Sequence, residues 1–151
     1  MSETTAAVLW RHVRDNDLCP DASSLTAWRQ VRWIHVWVGN RAIPILPVIG
    51  YRNTLLMHDV HHALTGYGTS FTGEVELAAW ELTSGGCGWS PFFWIDRLIA
   101  LPIGLILLPR RTIAALREGF SHRNLFGQSA DRILALDYED VRKMTLFAGS
   151  R

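Results

Sequence analysis

One short run of residues constrains the fold of this chain more than any other feature. The run is the pentapeptide HDVHH at residues 58–62, and Glu74 follows it after eleven intervening residues. On a helix, which turns about 100° per residue, His58, Asp59 and His62 project over one sector. The intervening residues leave room for a turn and for the start of a second helix that brings Glu74 back. The sequence therefore predicts two consecutive helices with a polar site between them.

The side chains in this run suit a divalent transition metal. Two imidazoles and a carboxylate form a ligand set that suits zinc or another borderline first-row ion. Asp59 lies at the edge of the sector, so it is either a direct ligand or an acceptor that orients an imidazole N–H. Glu74 is a candidate ligand, although an acid at this place also suits the positive end of a helix dipole. Glu81 lies on the same helix face, two turns further on, and is the rival ligand.

Other side chains near the run are candidates for proton transfer and substrate contact. His61 and Glu81 are uncommitted groups that could move protons at the metal. Tyr67 either lines a pocket beside the run or serves only in packing. Arg97 and Arg110 flank an apolar segment, and they either contact phosphate or carboxylate head groups or are solvated helix ends.

Helical periodicity and capping residues predict a mainly α chain with a single domain over residues 1–151. Thr72 is expected to cap the helix after the run, and Pro102 and Gly104 are expected to bend or interrupt a later, apolar helix. Residues 33–38 are either a strand or the end of a helix, and residues 41–50 are expected to be irregular because of their prolines. The predicted helices cover residues 4–13, a segment from Leu25 onward, and residues 53–64, 73–82, 92–108, 112–120 and 137–148.

The composition excludes some classes of protein. A chain of 151 residues with 48% hydrophobic residues suits one domain with a core, and a net charge of +1 without a basic stripe argues against nucleic-acid binding. Residues 98–109 are the most apolar segment. As a helix they would span about 18 Å, against about 30 Å for a bilayer core, so they fit a core helix, an interfacial segment or the wall of a lipid pocket. Cys19 and Cys87 lack the spacing of a disulfide framework, and the first 17 residues lack a leader pattern, so we expect a cytoplasmic protein.

Three pieces of sequence around the run match a known pattern. They are HDVHHALTGY at residues 58–67, the pair Gly73-Glu74, and LAAWE at residues 77–81. This stretch resembles the fourth-numbered coenzyme Q (ubiquinone) biosynthesis protein family, which is marked by H-D-x-x-H-x11-E with a Leu-Thr-Gly turn and a Gly-Glu pair. The resemblance is looser over the apolar residues 98–109, and the tryptophan-rich region at residues 28–37 has no counterpart.

The resemblance carries implications for fold, site and activity. It implies a mostly helical fold and a metal, usually zinc, held by His58, Asp59, His62 and Glu74. It implies a pocket for a polyprenylated quinone precursor or isoprenoid lipid, peripheral association with the inner membrane surface, and partnership with other ubiquinone-biosynthesis proteins. The implied reaction is an oxidative decarboxylation that removes the C1 carboxylate of a prenylated benzoate and hydroxylates that carbon. We also expect the chain to form a homo-oligomer.

Two other functions stay open beside an enzyme of this kind. One is a non-catalytic lipid-binding scaffold in which the metal only joins two helices. The other is a metal-dependent phosphohydrolase, which would call for a second His-Asp doublet that the sequence lacks. The coordination of the metal distinguishes the scaffold from an enzyme. Four protein ligands in a closed tetrahedron indicate a structural zinc, whereas three protein ligands and an open position indicate a catalytic zinc.

Overall fold

Helices account for most of the chain in the computed structural model, which describes residues 3–16, 33–38, 41–47, 52–88 and 90–146. The prediction of a mainly α protein is confirmed. The helices of the described residues are α1 (Thr5–Asp15), α2 (Arg52–Thr65), α3 (Phe71–Thr83), α4 (Pro91–Leu107), α5 (Pro109–Phe120), α6 (Ala130–Ala135) and α7 (Tyr138–Leu146).

Helices α2 and α3 lie close to their predicted bounds, with one correction at the start of α3. Ser70, rather than Thr72, is the N-cap, and its hydroxyl oxygen accepts the N–H of Gly73 at 3.5 Å. Ser70 has the extended backbone of a capping residue, whereas Thr72 already lies in the first turn. Glu74 also falls in this first turn, where a carboxylate is favoured by the positive end of the helix dipole.

A short hairpin precedes α2. Strands β1 (Trp33–Val38) and β2 (Arg41–Pro47) pair antiparallel, with a register shift between Ile34 and His35. The strand alternative for residues 33–38 is therefore correct, and the expectation of irregular chain at residues 41–50 is wrong over β2. Each strand of a two-stranded sheet has one edge that pairs with no other strand. Proline has no N–H to donate, so it is tolerated in β2 at positions on this free edge. The helix predicted from Leu25 onward lies outside the described residues.

Two groups of buried apolar side chains form the core of the described residues. The first group joins α1, α2, α6 and α7. The second group joins α3, α4 and α5, and it includes Trp80. The ring of His61 contacts both Trp80 and Phe126, which packs against the first group. His61 therefore lies where the two groups meet. The first group consists of Leu9, Val13, Leu56, Met57, Val60, Leu64, Leu125, Ala130, Ile133, Leu134 and Val141.

Helix α4 leaves much of its apolar surface exposed. Phe93 and Arg97 are buried, and Pro102 lies inside the helix without ending it. None of the helices in the described ranges combines the length and apolar character needed to span a bilayer. The exposed apolar face of α4 is formed by Trp94, Ile95, Leu98, Ile99, Ile103, Leu105, Ile106 and Leu107.

Candidate metal centre

A tight loop between α2 and α3 brings the candidate ligands together. Gly66 follows the end of α2 with a φ of 75°, in the left-handed region that favours glycine. A Cβ on Gly73 would lie 1.8 Å from the carbonyl oxygen of Gly68, so the loop passes directly against the first turn of α3. Only glycine permits this approach, and the close return of the chain brings Glu74 to the polar side of α2.

His58, His62 and Glu74 form a group that could hold a metal ion. One ligand atom from each residue lies within 4.8 Å of the other two. The histidines are one helical turn apart on α2, as their spacing predicted. The side chain of His62 is buried, whereas 44% of the Glu74 side chain is exposed. The group therefore has a solvent-facing side through which an ion can enter.

The hydrogen bond of His62 fixes which ring nitrogen faces the site. Its Nδ1 lies 2.9 Å from the carbonyl oxygen of Tyr67, which only accepts, so Nδ1 carries the proton in the neutral ring. Its Nε2 is buried, lies 3.2 Å from Glu74 Oε1 and makes no hydrogen bond to any other residue that the structure describes. With Nδ1 held by the backbone, Nε2 is the ring atom that faces Glu74 and would bind a metal.

His58 lies between two carboxylates. Its Nδ1 is 3.0 Å from Glu81 Oε1, and its Nε2 is 3.3 Å from Glu74 Oε2. Burial alone would lower the pKa of His58, but the neighbouring carboxylates outweigh it and raise the pKa to about 10. Burial would likewise raise the pKa of Glu74, and the two histidines instead lower it to about 2. Without a metal, His58 is therefore a cation that bridges Glu74 and Glu81, and a metal would take the place of its Nε2 proton.

Asp59 is buried beside the group but is not one of its three members. Burial raises the pKa of Asp59 to about 7, although the charges of His58 and His62 act in the opposite direction. A carboxyl group with this pKa exchanges its proton near neutral pH. Of the two roles expected for Asp59, direct ligand or neighbouring acceptor, the second agrees better with this placement, and its role in the site stays a prediction.

Glu81 lies behind His58, on the side away from Glu74. Its carboxylate is fully buried, and Oε1 accepts from Nδ1 of both His58 and His61, at 3.0 and 2.8 Å. Burial would raise the pKa of Glu81, but the charges of His58 and Arg97 hold it well below its usual range. His61 is also fully buried, which lowers its pKa, and its Nε2 accepts the backbone N–H of Leu125 at 2.9 Å. The expected proton-transfer pair, His61 and Glu81, thus has its polar atoms engaged inside the protein.

The side chains predicted to contact substrate lie in three different environments. Arg97 is buried, donates to Glu81 and Asp96, and lies with its guanidinium over the ring of Phe93 at 4.7 Å. The hydroxyl of Tyr67 donates to Glu118 at 2.6 Å, while its carbonyl holds His62. Arg110 is exposed near the start of α5. Whether these three contact a substrate stays a prediction.

Sequence reasoning did not identify the backbone groups that fix the histidine rings. The carbonyl of Tyr67 accepts from His62, and the N–H of Leu125 donates to His61. Residues of nearly every type carry the same backbone groups, so the sequence does not show which of them bind a histidine. One signal was available for the interior network. Arg97 lies in a mostly apolar helical segment, and a cation on the buried side of such a helix indicates a buried acid as its partner.

Comparisons of the chain with models of protein families, with characterised proteins and with solved structures find no match. The fold and the site define a mainly helical protein with a candidate divalent-metal centre between two consecutive helices. Its function must be inferred from the geometry of that centre and from the residue pattern that forms it.

Proposed function

We propose that this chain is a zinc-dependent enzyme that acts on a polyprenylated aromatic acid, in the manner of the coenzyme Q biosynthesis family that it resembles. The observation that carries the proposal is the convergence of His58, His62 and Glu74, each with one ligand atom within 4.8 Å of the other two. Together they supply two imidazoles and one carboxylate as ligands. Three protein ligands leave one position of a tetrahedral zinc open, which is typical of catalytic sites.

The side chains around the metal take separate parts in this proposal. Bound zinc would supply Lewis acidity toward a carboxylate or phenolate oxygen of the substrate. Asp59 is buried beside the ligands, and in the metal-free protein its pKa of about 7 suits it to give up or take a proton at neutral pH. We assign the proton transfer to Asp59 rather than to His61 or Glu81, because the hydrogen bonds of both residues are directed into the interior.

The exposed face of α4 supports a substrate that resides in a membrane. Isoprenoid chains partition into bilayers, and an enzyme that acts on them benefits from lying on the membrane surface. Among the side chains of α4 that the structure describes, eight large apolar ones are exposed, which is more than a water-facing helix usually presents. Arg110 lies exposed just beyond α4, where a cation is attracted to anionic lipid head groups. Association with other ubiquinone-biosynthesis proteins and with further copies of the chain belongs to the same proposal.

The direct test supplies the zinc-loaded protein with a prenylated hydroxybenzoate that carries labelled carbon in its carboxylate. The assay is run in air, because replacing the carboxyl group by a hydroxyl is a two-electron oxidation of the substrate. The acid, water and dioxygen would give the hydroxylated ring, carbon dioxide and hydrogen peroxide. We expect labelled carbon dioxide together with a hydroxylated ring product, and neither from Glu74→Gln. Binding of the substrate to zinc-loaded protein without any release of label would contradict the proposed activity.

One observation favours a second candidate function, the non-catalytic lipid-binding scaffold. Glu81, on α3, is bound by His58 and His61 of α2 and by Arg97 of α4, so three helices are already joined behind the metal ligands. A zinc ion added to this network would hold α2 and α3 together as a structural metal does. In that case the zinc-loaded protein binds prenylated lipid, and the protein also fills the fourth coordination position of the zinc. Added ligands such as imidazole then leave the spectrum of a cobalt-substituted sample unchanged.

A further inference from the structure

The contacts of the buried Glu81 carboxylate suit it to orient the ring of His58. Its side chain is fully buried, so the contacts are not weakened by water. One oxygen accepts from His58 at 3.0 Å and from His61 at 2.8 Å, and the other accepts from Arg97. Both oxygens are therefore used inside the protein, and neither is free to bind the metal or to meet a substrate.

His61 contributes a fixed donor to this arrangement. The backbone N–H of Leu125 donates to His61 Nε2 at 2.9 Å, which places the lone pair of the neutral ring at Nε2 and its proton at Nδ1. That Nδ1–H donates to Glu81 Oε1 at 2.8 Å. The ring is further held between Trp80 and Phe126, with ring centroids 5.3 and 4.7 Å away. His61 thus orients the carboxylate of Glu81 and keeps one of its lone pairs occupied.

A competing contact shows why His58 needs the negative charge of Glu81. His58 Nδ1 lies 3.0 Å from Glu81 Oε1 but also 3.2 Å from Arg97 Nη2. The carboxylate requires a proton on Nδ1, whereas the guanidinium, which only donates, would require a lone pair there. If the arginine prevailed, the neutral ring would carry its proton on Nε2 and would have no lone pair for a metal.

We infer that Glu81 is a positioning residue for His58. Its carboxylate keeps the proton of His58 on Nδ1 and so directs Nε2 to the metal. Arg97 holds this carboxylate in place. The inference rests on the proposed metal centre and assigns to that centre its supporting shell. It also changes the predicted role of Arg97 from substrate contact to support of Glu81. Groups that orient ligand histidines in this way contribute typically 10- to 100-fold to metal affinity.

The test replaces Glu81 by glutamine, which keeps the shape of the side chain and removes its charge. Zinc affinity is measured by competition with a chelating dye, and the protonation of His58 is read from its ring ¹⁵N signals in metal-free protein. We expect Glu81→Gln to bind zinc 10- to 100-fold more weakly and to lose the proton on His58 Nδ1. The matched control is Glu76→Gln, because Glu76 lies on the same helix and pairs instead with Arg111 at 2.9 Å. It should bind zinc as the wild type does.

The possible results separate this inference from the proposed function. Equal zinc affinity in wild type and Glu81→Gln, or a persistent Nδ1 proton in the variant, would overturn the positioning role alone. A wild-type protein that binds no zinc would refute the metal centre and this role with it. If Glu81→Gln does not fold, Arg97→Lys serves instead, since it keeps the charge on Glu81 but supplies a less rigid donor. We then expect a loss of zinc affinity of less than 10-fold with the Nδ1 proton retained, and loss of that proton would contradict the inference.

Discussion

At the scale of single residues, the candidate metal centre depends on the protonation of two histidines. His62 has its proton fixed on Nδ1 by a backbone carbonyl, whereas metal-free His58 is held as a cation by two carboxylates. Zinc binding at His58 therefore displaces the proton on its Nε2, which makes metal binding depend on pH.

The first prediction concerns this dependence on pH. The pKa of His58 rises from 6.5 in the unfolded chain to about 10 in the folded protein. The raised pKa stabilises metal-free protein fully below pH 6.5, and this contribution is lost as the pH rises toward 10. Zinc affinity should rise over the same interval, because fewer protons compete for Nε2. Denaturant unfolding and zinc titration at pH 6 to 9 measure both trends, and a zinc affinity that does not change with pH would contradict the assignment.

The second prediction separates the two roles of Asp59. In Asp59→Asn the side chain keeps its size but cannot exchange a proton. If Asp59 transfers a proton, the variant should retain zinc with nearly wild-type affinity and lose about 10²- to 10⁴-fold in turnover. If Asp59 is instead a direct ligand, zinc affinity itself should fall. Zinc titration and the labelled-substrate assay on the same sample distinguish these outcomes.

The ligand group shows what can be predicted from sequence at this scale. The spacing of His58 and His62 is a property of helix geometry, so it predicted their common face correctly, and the glycine-rich loop allowed for the return of Glu74. The interior roles of Glu81 and Arg97 depend on contacts between α2, α3 and α4. Contacts between helices are set by packing, which the periodicity of a single helix does not specify.

At the scale of elements, the close packing of α3 against α5 positions the helix that carries Glu74. Gly119 makes this approach possible, since a Cβ there would lie 2.1 Å from Thr83 Oγ1 and 2.4 Å from the carbonyl oxygen of Trp80. The carbonyl belongs to the backbone of α3 and cannot move independently of that helix. A side chain at this position must therefore push the two helices apart.

The third prediction follows from this contact. Gly119→Ala should lower the free energy of unfolding by about 1–3 kcal/mol, as overpacked cores do, despite the better helix propensity of alanine. The control is Gly127→Ala, because a Cβ on Gly127 meets nothing within 4 Å. That change should stay within about 0.5 kcal/mol of the wild type. Urea denaturation of both variants measures the difference, and equal stability would show that α5 can shift without cost.

The elements themselves differ in how far sequence could predict them. Helices α2 to α5 show clear periodicity or capping signals, and their bounds lie within a few residues of those predicted. Helix α6 has six residues, too few to display a period, and it was missed. Strand β2 contains Pro44 and Pro47 and was expected to be irregular. Its pairing with β1 stabilises it nonetheless, and pairing between strands is not visible in the residues of one strand.

At the scale of the whole molecule, α4 exposes a large apolar face. Such a face is not expected on a protein whose surface contacts only water. The most exposed members of the face include Leu98 and Ile106, at 69% and 77% of their maximum accessible area. They are two helical turns apart on the same side. Burial of such side chains in a lipid surface is favourable by about 1.5–3 kcal/mol each.

The fourth prediction tests this face with vesicles that contain phosphatidylglycerol. Leu98→Glu and Ile106→Glu should each weaken vesicle binding at least tenfold, because a charge replaces an apolar contact at the lipid surface. Phe71→Glu is the matched control, since Phe71 is exposed and apolar but lies on α3. Co-sedimentation with vesicles measures the affinities. Equal binding by all the variants and the wild type would show that α4 does not face the membrane.

The central claim is that α2 and the first turn of α3 bind one zinc ion together, and metal analysis of the purified protein tests it most directly. The wild type should hold about one zinc per chain after dialysis against metal-free buffer. His62→Ala and Glu74→Gln should hold far less, while Glu76→Gln should match the wild type. Stoichiometric zinc in both ligand variants, or none in the wild type, would contradict the account.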